Sequence, residues 1–552
     1  MFRLAAFVIL VSLSAAVVAA QPAVTVLHNA VVYTVDPTKP TAEALAFYDG
    51  QIVAVGSSQD ILAAYPDAER LDAQGYTVVP GLIDAHGHIM NLGMSLLQAN
   101  LVGAPTVEDA VHRLQAFASG LPEDAWLQGR GWDQNEWLGA AFPTAADLDA
   151  AFPDRPVYLV RVDGHAAWVN SAAMRQAHGL ADAADPAGGR ILRDASGAPT
   201  GVLIDEAMQL VNEQIPPASP EESRLALDLA LAETARLGLT GVHDAGVDLS
   251  DIALFREAID ENRFPLRMHA MIGGPGPTLD HFCENGPLLD YRGRLGVRSI
   301  KLYTDGALGS RGAALLADYS DDPGNQGLLM YEPDDFETVV ARAMDCGLQV
   351  NTHAIGDRGA RLVLDAYERH DTGSNAGHGR HRMEHAQVVA SEDFPRFAEL
   401  GVIASVQPIH ATSDMGWAEN RVGPERIAGA YAWRTLLDSG ARLALGSDFP
   451  VEPVNPIIGF HAAITRQNAS GKPPGGWYPE ERLTREEALR GFTLDAAYAA
   501  FMEETVGSLE PGKRADFVLL DRDIMQVAYD EVLVSRVMAT YLDGVAVYVR
   551  ED

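Results

Sequence analysis

The residues best suited to chemistry begin at Gly81-Leu82-Ile83-Asp84-Ala85-His86-Gly87-His88. On extended backbone, residues two apart point to one side, so His86 and His88 can present two imidazoles to one divalent ion. Neutral imidazole is a favoured zinc ligand. An apolar run leads straight into the pair, as at the C-terminal end of a barrel strand. Other residues share that setting. His353 closes Gln349-Val350-Asn351-Thr352, His385 follows Arg382-Met383-Glu384, and Asp448 ends Leu443-Ala444-Leu445-Gly446-Ser447 before Phe449-Pro450 stops the run. Lys301 sits inside Ser299-Ile300-Lys301-Leu302-Tyr303, in a chain whose only other lysines are Lys39, Lys472 and Lys513. Singly, each has a bland reading: a capping Asp, a hydrogen-bonded core His, a salt-bridged Lys. Four His, one Asp and a scarce Lys, nearly all in or at the ends of successive β runs, point together to a metal centre.

Those runs imply the frame that positions them. From Pro80 to Tyr498, apolar runs such as Gly241-Val242-His243-Asp244 alternate with amphipathic stretches at 221–237 and 336–346. That alternation indicates an α/β fold, a TIM-type (β/α)8 barrel, over about 80–500. The segment of about 101–237 is too long for one βα unit and is expected to be an insertion over the barrel mouth. Both ends of the chain are β-rich, with hairpin signals at Asp49-Gly50 and Asp543-Gly544. Residues 21–79 and 501–552 are therefore expected to form one small β-sandwich built from both termini.

Residues 1–20 read as a signal peptide: Arg3, an apolar run from Leu4 to Leu13, and Val18-Ala19-Ala20 before Gln21. An uncleaved anchor is the alternative. Cleavage near Ala20 would export the protein to the periplasm or medium, with no membrane contact afterwards. With 41 Lys and Arg against 76 Asp and Glu, the net charge is −35. Such a surface repels nucleic acid and anionic lipid, so neither is an expected partner, and the expected partner of the metal centre is a small-molecule substrate. A homo-oligomer is compatible with the sequence. Cys283 and Cys346, the only cysteines, could pair or remain two buried thiols, and they exclude a Cys-rich metal site.

The motifs carry a family resemblance. Pro80 to His88, Lys301 to Arg311, Thr352 to Arg358, Arg382 to Gln387, Leu445 to Val451 and Gly507 to Asp516 resemble, in order, those of the amidohydrolase superfamily, in the branch called amidohydrolase family 3. Gly131-Trp132-Asp133 and Arg161-Val162-Asp163-Gly164-His165-Ala166 fit the same branch. The resemblance implies that His86, His88 and Asp448 hold the more buried metal and that His353 and His385 hold a second. It further implies that Lys301, carboxylated by carbon dioxide, bridges the two ions, with zinc as the expected metal. A carbamate is a bidentate oxygen ligand, whereas an ammonium repels cations. One-metal members, and a Lys301–Asp305 salt bridge, are the alternatives.

The chemistry implied is hydrolysis by metal-activated water, with Asp448 moving the proton to the leaving nitrogen. The bond expected is a carbon–nitrogen bond of a non-peptide or cyclic amide, N-acyl or formamide type. An ester, lactone or carbamate is the alternative, and a non-catalytic solute-binding barrel the rival from another class. Trp132, Asp163, His165, Asp305, Arg311, Gln407 and His410 are the candidates to line the substrate pocket. Arg311 could clamp a carboxylate or cross-link a Gly-rich loop. Asp163 and His165 could face the pocket or tie the insertion. His243-Asp244 reads as a core pair and Asp357-Arg358 as a helix start.

Overall fold

The computed structural model describes residues 24–121, 125–162, 166–177, 179–180, 183–186, 189–371 and 379–551. The signal segment 1–20, Asp163 and His165 lie outside the described residues.

Eight strands form the barrel: β1 Leu82–Gly87, β2 Leu239–Val247, β3 Arg267–Ile272, β4 Leu295–Tyr303, β5 Gln349–Ala354, β6 Arg382–His385, β7 Ile403–Val406 and β8 Arg442–Leu445. Each pairs parallel to the next in chain order. The ends meet through a parallel bridge between Gly87 and Phe449. Asp448 N–H donates to His86 O (2.6 Å) and His88 N–H donates to Phe449 O (2.9 Å). The expected TIM-type barrel is thus present, and its strands are buried on both faces, as helices outside and side chains inside require.

The helices follow from local signals. Pro220–Arg236 starts at Ser219, whose hydroxyl accepts Glu222 N–H while the Glu222 carboxylate accepts Ser219 N–H. Its Leu227, Ala230 and Leu231 then fall on one face and join the barrel core. A separate six-stranded sheet runs between Ala99–Asn100 and Pro199–Asp205. The helix Pro220–Arg236, the last part of the segment expected to be insertion, packs instead on the barrel helix Ile89–Leu96.

Two further sheets make a sandwich. One holds only N-terminal strands, Thr25–His28, Ala44–Tyr48, Gln51–Gly56 and Glu69–Asp72. In the other, Thr77–Pro80 pairs with the C-terminal Phe517–Leu520. Leu27, Leu45, Phe47 and Ile52 pack against Leu509, Phe517 and Leu519 between them. The pairing of Cys283 with Cys346, left open by the sequence, is a disulfide between residues 63 positions apart, with Cα atoms 4.9 Å apart. Among the described residues no helix is long and apolar enough to cross a membrane.

Barrel and sandwich are joined by ions as well as by apolar contact. Arg267 of β3 pairs with Asp516 at 2.7 Å and with Asp543 at 2.6 Å, both from the C-terminal segment. Arg267 and Asp516 are only 4% exposed, so removing the guanidinium strands a buried carboxylate. Arg267→Ala is expected to lower the unfolding free energy by about 3–5 kcal/mol. A denaturant titration checks this, and a loss close to zero would show that the two units dock without this ion pair.

Candidate metal centre

Strand ends at one rim of the barrel supply the site. Asp84 prepares it: Oδ1 accepts His86 N–H and Ser447 N–H, each at 3.0 Å, and Oδ2 accepts the Ser447 hydroxyl at 2.6 Å. Burial pushes the Asp84 carboxyl up to about 7, against the pull of these bonds. Between the two histidines, the Phe449 ring lies on Gly87. A Cβ at Gly87 would sit 2.3 Å from that ring, so only glycine lets His86 and His88 flank the seam.

Alternation along the strands does the rest. Ser299, Lys301 and Tyr303 share one face of β4, and Gln349, Asn351 and His353 share one face of β5, with Lys301 level with Asn351 and Tyr303 level with His353. In β6, Arg382 and Glu384 face the barrel interior. Simple alternation would turn His385 away, but φ is +76° at His385 and +41° at Ala386, and the ring lines the central cavity. Asp448 has φ +62°. Non-glycine residues in this region cost of order 1 kcal/mol or more and collect at functional sites.

His88 Nε2 lies 3.1 Å and His86 Nε2 3.6 Å from Asp448 Oδ1, while His410 Nε2 lies 3.4 Å from Oδ2. Ligand atoms of His86, His88 and Asp448, and separately of His385, His410 and Asp448, all fall within 4.8 Å of one another. Ring centroids are 4.6 Å apart for His353 and His385 and 4.9 Å for His86 and His385. Lys301, 1% exposed, reaches the same cavity with its Nζ 4.1 Å from the Tyr303 ring centre. No carboxylate pairs with it among the described residues.

Electrostatics favour the ligand form of these groups. Burial, reinforced by Lys301, lowers His86 to about 4 and His353 to about 3. Burial and His353 hold His385 well below its ordinary value. All three are neutral imidazoles near pH 7, as metal binding requires. Burial opposes ionisation of Asp448, but hydrogen bonds from His410 and His88 outweigh it and hold the carboxyl well below the usual range. Burial likewise opposes the charge on His410, yet Asp448 and Glu452 push it up to about 10. His86 Nε2, His353 Nε2 and both amide atoms of Asn351 are buried without hydrogen-bond partners. Unpaired donor atoms on neutral imidazoles, beside an ionised carboxylate, fit divalent metal.

The six residues expected to bind metal therefore share one cavity of about 770 Å³, whose walls include Leu308, His410, Trp417, Arg421, Val451 and Glu452. Several pocket candidates stand elsewhere, and those expectations are corrected. Trp132 is fully buried in the insertion core against Trp137 and Trp168, its indole N–H donating to Leu159 O. Arg311 pairs with Asp321, the cross-linking alternative rather than the carboxylate clamp. Asp305 is fully buried and accepts N–H bonds from Ala314, Ile355 and Gly356, tying the loop after β4 to that after β5. Gln407 stands behind His385, whose Nδ1 lies 2.8 Å from its Oε1. His243 meets Arg382 and Asp244 accepts Ile89 N–H, both outside the cavity lining. Glu384, Trp417 and Glu452 escaped sequence reasoning. For Glu384 alone a signal existed, its two-residue spacing from Arg382 in a β run.

A closed parallel barrel that gathers four imidazoles, a carboxylate and a buried lysine at one rim defines the class of metal-dependent hydrolases. This chain belongs to the amidohydrolase family, whose model matches residues 69–548. It is similar to Protein LONG AFTER FAR-RED 3 of Arabidopsis thaliana, 34% identical over 94% of this chain and 91% of that protein. It is 30% identical to N-substituted formamide deformylase of Arthrobacter pascens, over 95% of this chain and 98% of that protein. A crystal structure of an uncharacterized metal-dependent hydrolase from Pyrococcus furiosus superposes with a TM-score of 0.75 at 30% identity, covering 91% of this chain and 100% of that one. The protein is a hydrolytic enzyme with His and Asp candidates for its metal.

The placement of Arg311 has a kinetic consequence. Arg311→Ala is expected to leave KM unchanged for carboxylate-bearing and neutral substrates alike. Steady-state kinetics check this, and a rise in KM confined to the carboxylates would restore the clamp.

Proposed function

We propose that the protein hydrolyses a carbon–nitrogen bond other than a peptide bond in a small molecule of the formamide, N-acyl or cyclic amide type. The proposal includes two zinc ions bridged by carboxylated Lys301. The observation that carries it is Lys301 itself: a buried amine without a carboxylate partner among the described residues, on the floor shared by His86, His88, His353, His385 and Asp448. His86, His88 and Asp448 would hold one ion, and His353 and His385 the other. Attack of the Lys301 amine on carbon dioxide forms an N–C bond, releases one proton and leaves an anionic oxygen pair able to bridge them.

Bound divalent ions lower the pKa of water from about 15.7 toward 7 and polarise a carbonyl. The remaining work falls to the protein. Asp448 is ionised and fixed, Oδ1 facing His86 and His88 and Oδ2 facing His410. It is the group that takes the proton from the attacking water and returns it to the leaving nitrogen, which departs as an amine only when protonated. His410 and Glu452, 3.2 Å apart, hold the Asp448 carboxylate in register. Tyr303, Leu308, Trp417 and Val451 give the cavity an apolar wall for the substituent on the scissile bond. The similarity to a formamide deformylase supports the choice of bond.

The proposed site of action is outside the cytoplasm. The signal-like segment ending at Ala20 supports this, as does the Cys283–Cys346 bond, a pairing favoured in oxidising compartments.

Metal analysis of purified protein is expected to find two ions per chain, and formamides and N-acyl amines to be turned over faster than matched esters. Asp448→Asn should lower kcat on amides by about 10²- to 10⁴-fold. Unchanged turnover in that variant would defeat the hydrolytic reading, and a preference for esters would move the bond.

A further inference from the structure

His86 and His385 face the same cavity floor, but different chemistry stands behind them. Nδ1 of His86 lies 2.5 Å from Glu384 Oε2, a fully buried carboxylate. Nδ1 of His385 lies 2.8 Å from Gln407 Oε1, a neutral amide. His353 has no such side-chain carboxylate or amide at Nδ1 among the described residues: Asp305 Oδ1, an oxygen that already accepts Ile355 N–H, lies 3.5 Å from its Nε2, and the Gly306 backbone also meets its ring. A carboxylate that accepts the hydrogen bond from Nδ1–H fixes the tautomer, aims Nε2 and raises its basicity, and a neutral amide does this less strongly.

Glu384 is held so that it cannot turn from this task. Arg382, two residues earlier on the same strand face, approaches it with Nε 2.7 Å from Oε1 and Nη2 3.0 Å from Oε2. The same guanidinium donates to Ala85 O at 2.6 Å, to Ser405 Oγ at 2.9 Å and to His243 Nδ1 at 2.9 Å. One planar fork thereby ties the carboxylate to β1, β2 and β7, and its bond to Ala85 O lands on the residue before His86.

We infer that Glu384 is a positioning residue for His86, and that it makes the ion at His86 and His88 bind more tightly than the ion at His353 and His385. The ranking of two ions rests on the two-ion reading above; the role of Glu384 toward His86 does not. Weak chelation would then remove the ion backed by Gln407 first and leave a one-ion protein. The competing role for Glu384 is only to neutralise Arg382. Glu384→Asp separates the two roles, because it keeps a negative charge for Arg382 while shortening the reach to His86.

The test is competition of the metal-free protein with a chromophoric chelator for added zinc. It is run on the wild type, Glu384→Gln, Glu384→Asp and Gln407→Ala, with thermal melting recorded for each. Two unequal dissociation constants are expected in the wild type. Glu384→Gln and Glu384→Asp should weaken the tighter one by about 10- to 100-fold, and Gln407→Ala should weaken only the looser one. Should Glu384→Gln fail to fold with Arg382 unpaired, Glu384→Asp carries the same criterion. An unchanged tight constant in every folded Glu384 variant, or a tight ion sensitive to Gln407 instead, would overturn the inference. A total of one zinc per chain would overturn the two-ion reading, and the response of that single ion to Glu384 would still decide the positioning role.

Discussion

Two backbone hydrogen bonds, Asp448 to His86 and His88 to Phe449, close the barrel, and the geometry of the site depends on them. They join the first and last barrel strands at the level where both leave the sheet. His88 and Asp448, 360 positions apart in the chain, come within 3.1 Å through that seam. A parallel sheet left open at this point would keep its strands and lose its centre. Asp84 reinforces the closure from below by holding the His86 and Ser447 backbone together.

Inside the closed barrel, desolvation decides which charges survive. It strips protons from His86, His353 and His385, which is the state a metal requires. Anions and cations persist there as bonded sets, such as Arg382 with Glu384 and Asp448 with His410. Lys301 stands apart from this rule. Its amine shares the floor with the imidazoles and with Asp448, yet no carboxylate pairs with it among the described residues.

The layers beneath the site are structural in a specific sense. His269 is bonded to Gln349 and Ser299, and Arg382 links His243 to Glu384. The lower barrel is therefore filled by a polar network rather than by aliphatic side chains alone. Such a network is costly to leave partly made, so it favours one arrangement of the strands that carry it. The same constraint explains why several motif positions do not touch the cavity. Asp305 and Arg311 tie loops, and Trp132 fills the insertion core.

What the sequence by itself determined is what short-range rules govern. The two-residue spacing of His86 and His88, the apolar runs that end in His353 and Asp448, and the rhythm of strand and helix were all legible. Each depends on backbone periodicity and local capping. Tertiary structure alone decided which polar groups meet. The turns at His385 and Asp448 into positive φ leave no trace in the hydrophobic pattern. The pairing of Cys283 with Cys346 and the retreat of Arg311 to Asp321 follow from the packing of helices and a loop outside the sheet, and the meeting of Glu384 with His86 across the barrel follows from closure. Contacts of that kind join strands remote in the chain, and their distances exist only once the sheet has bent round on itself.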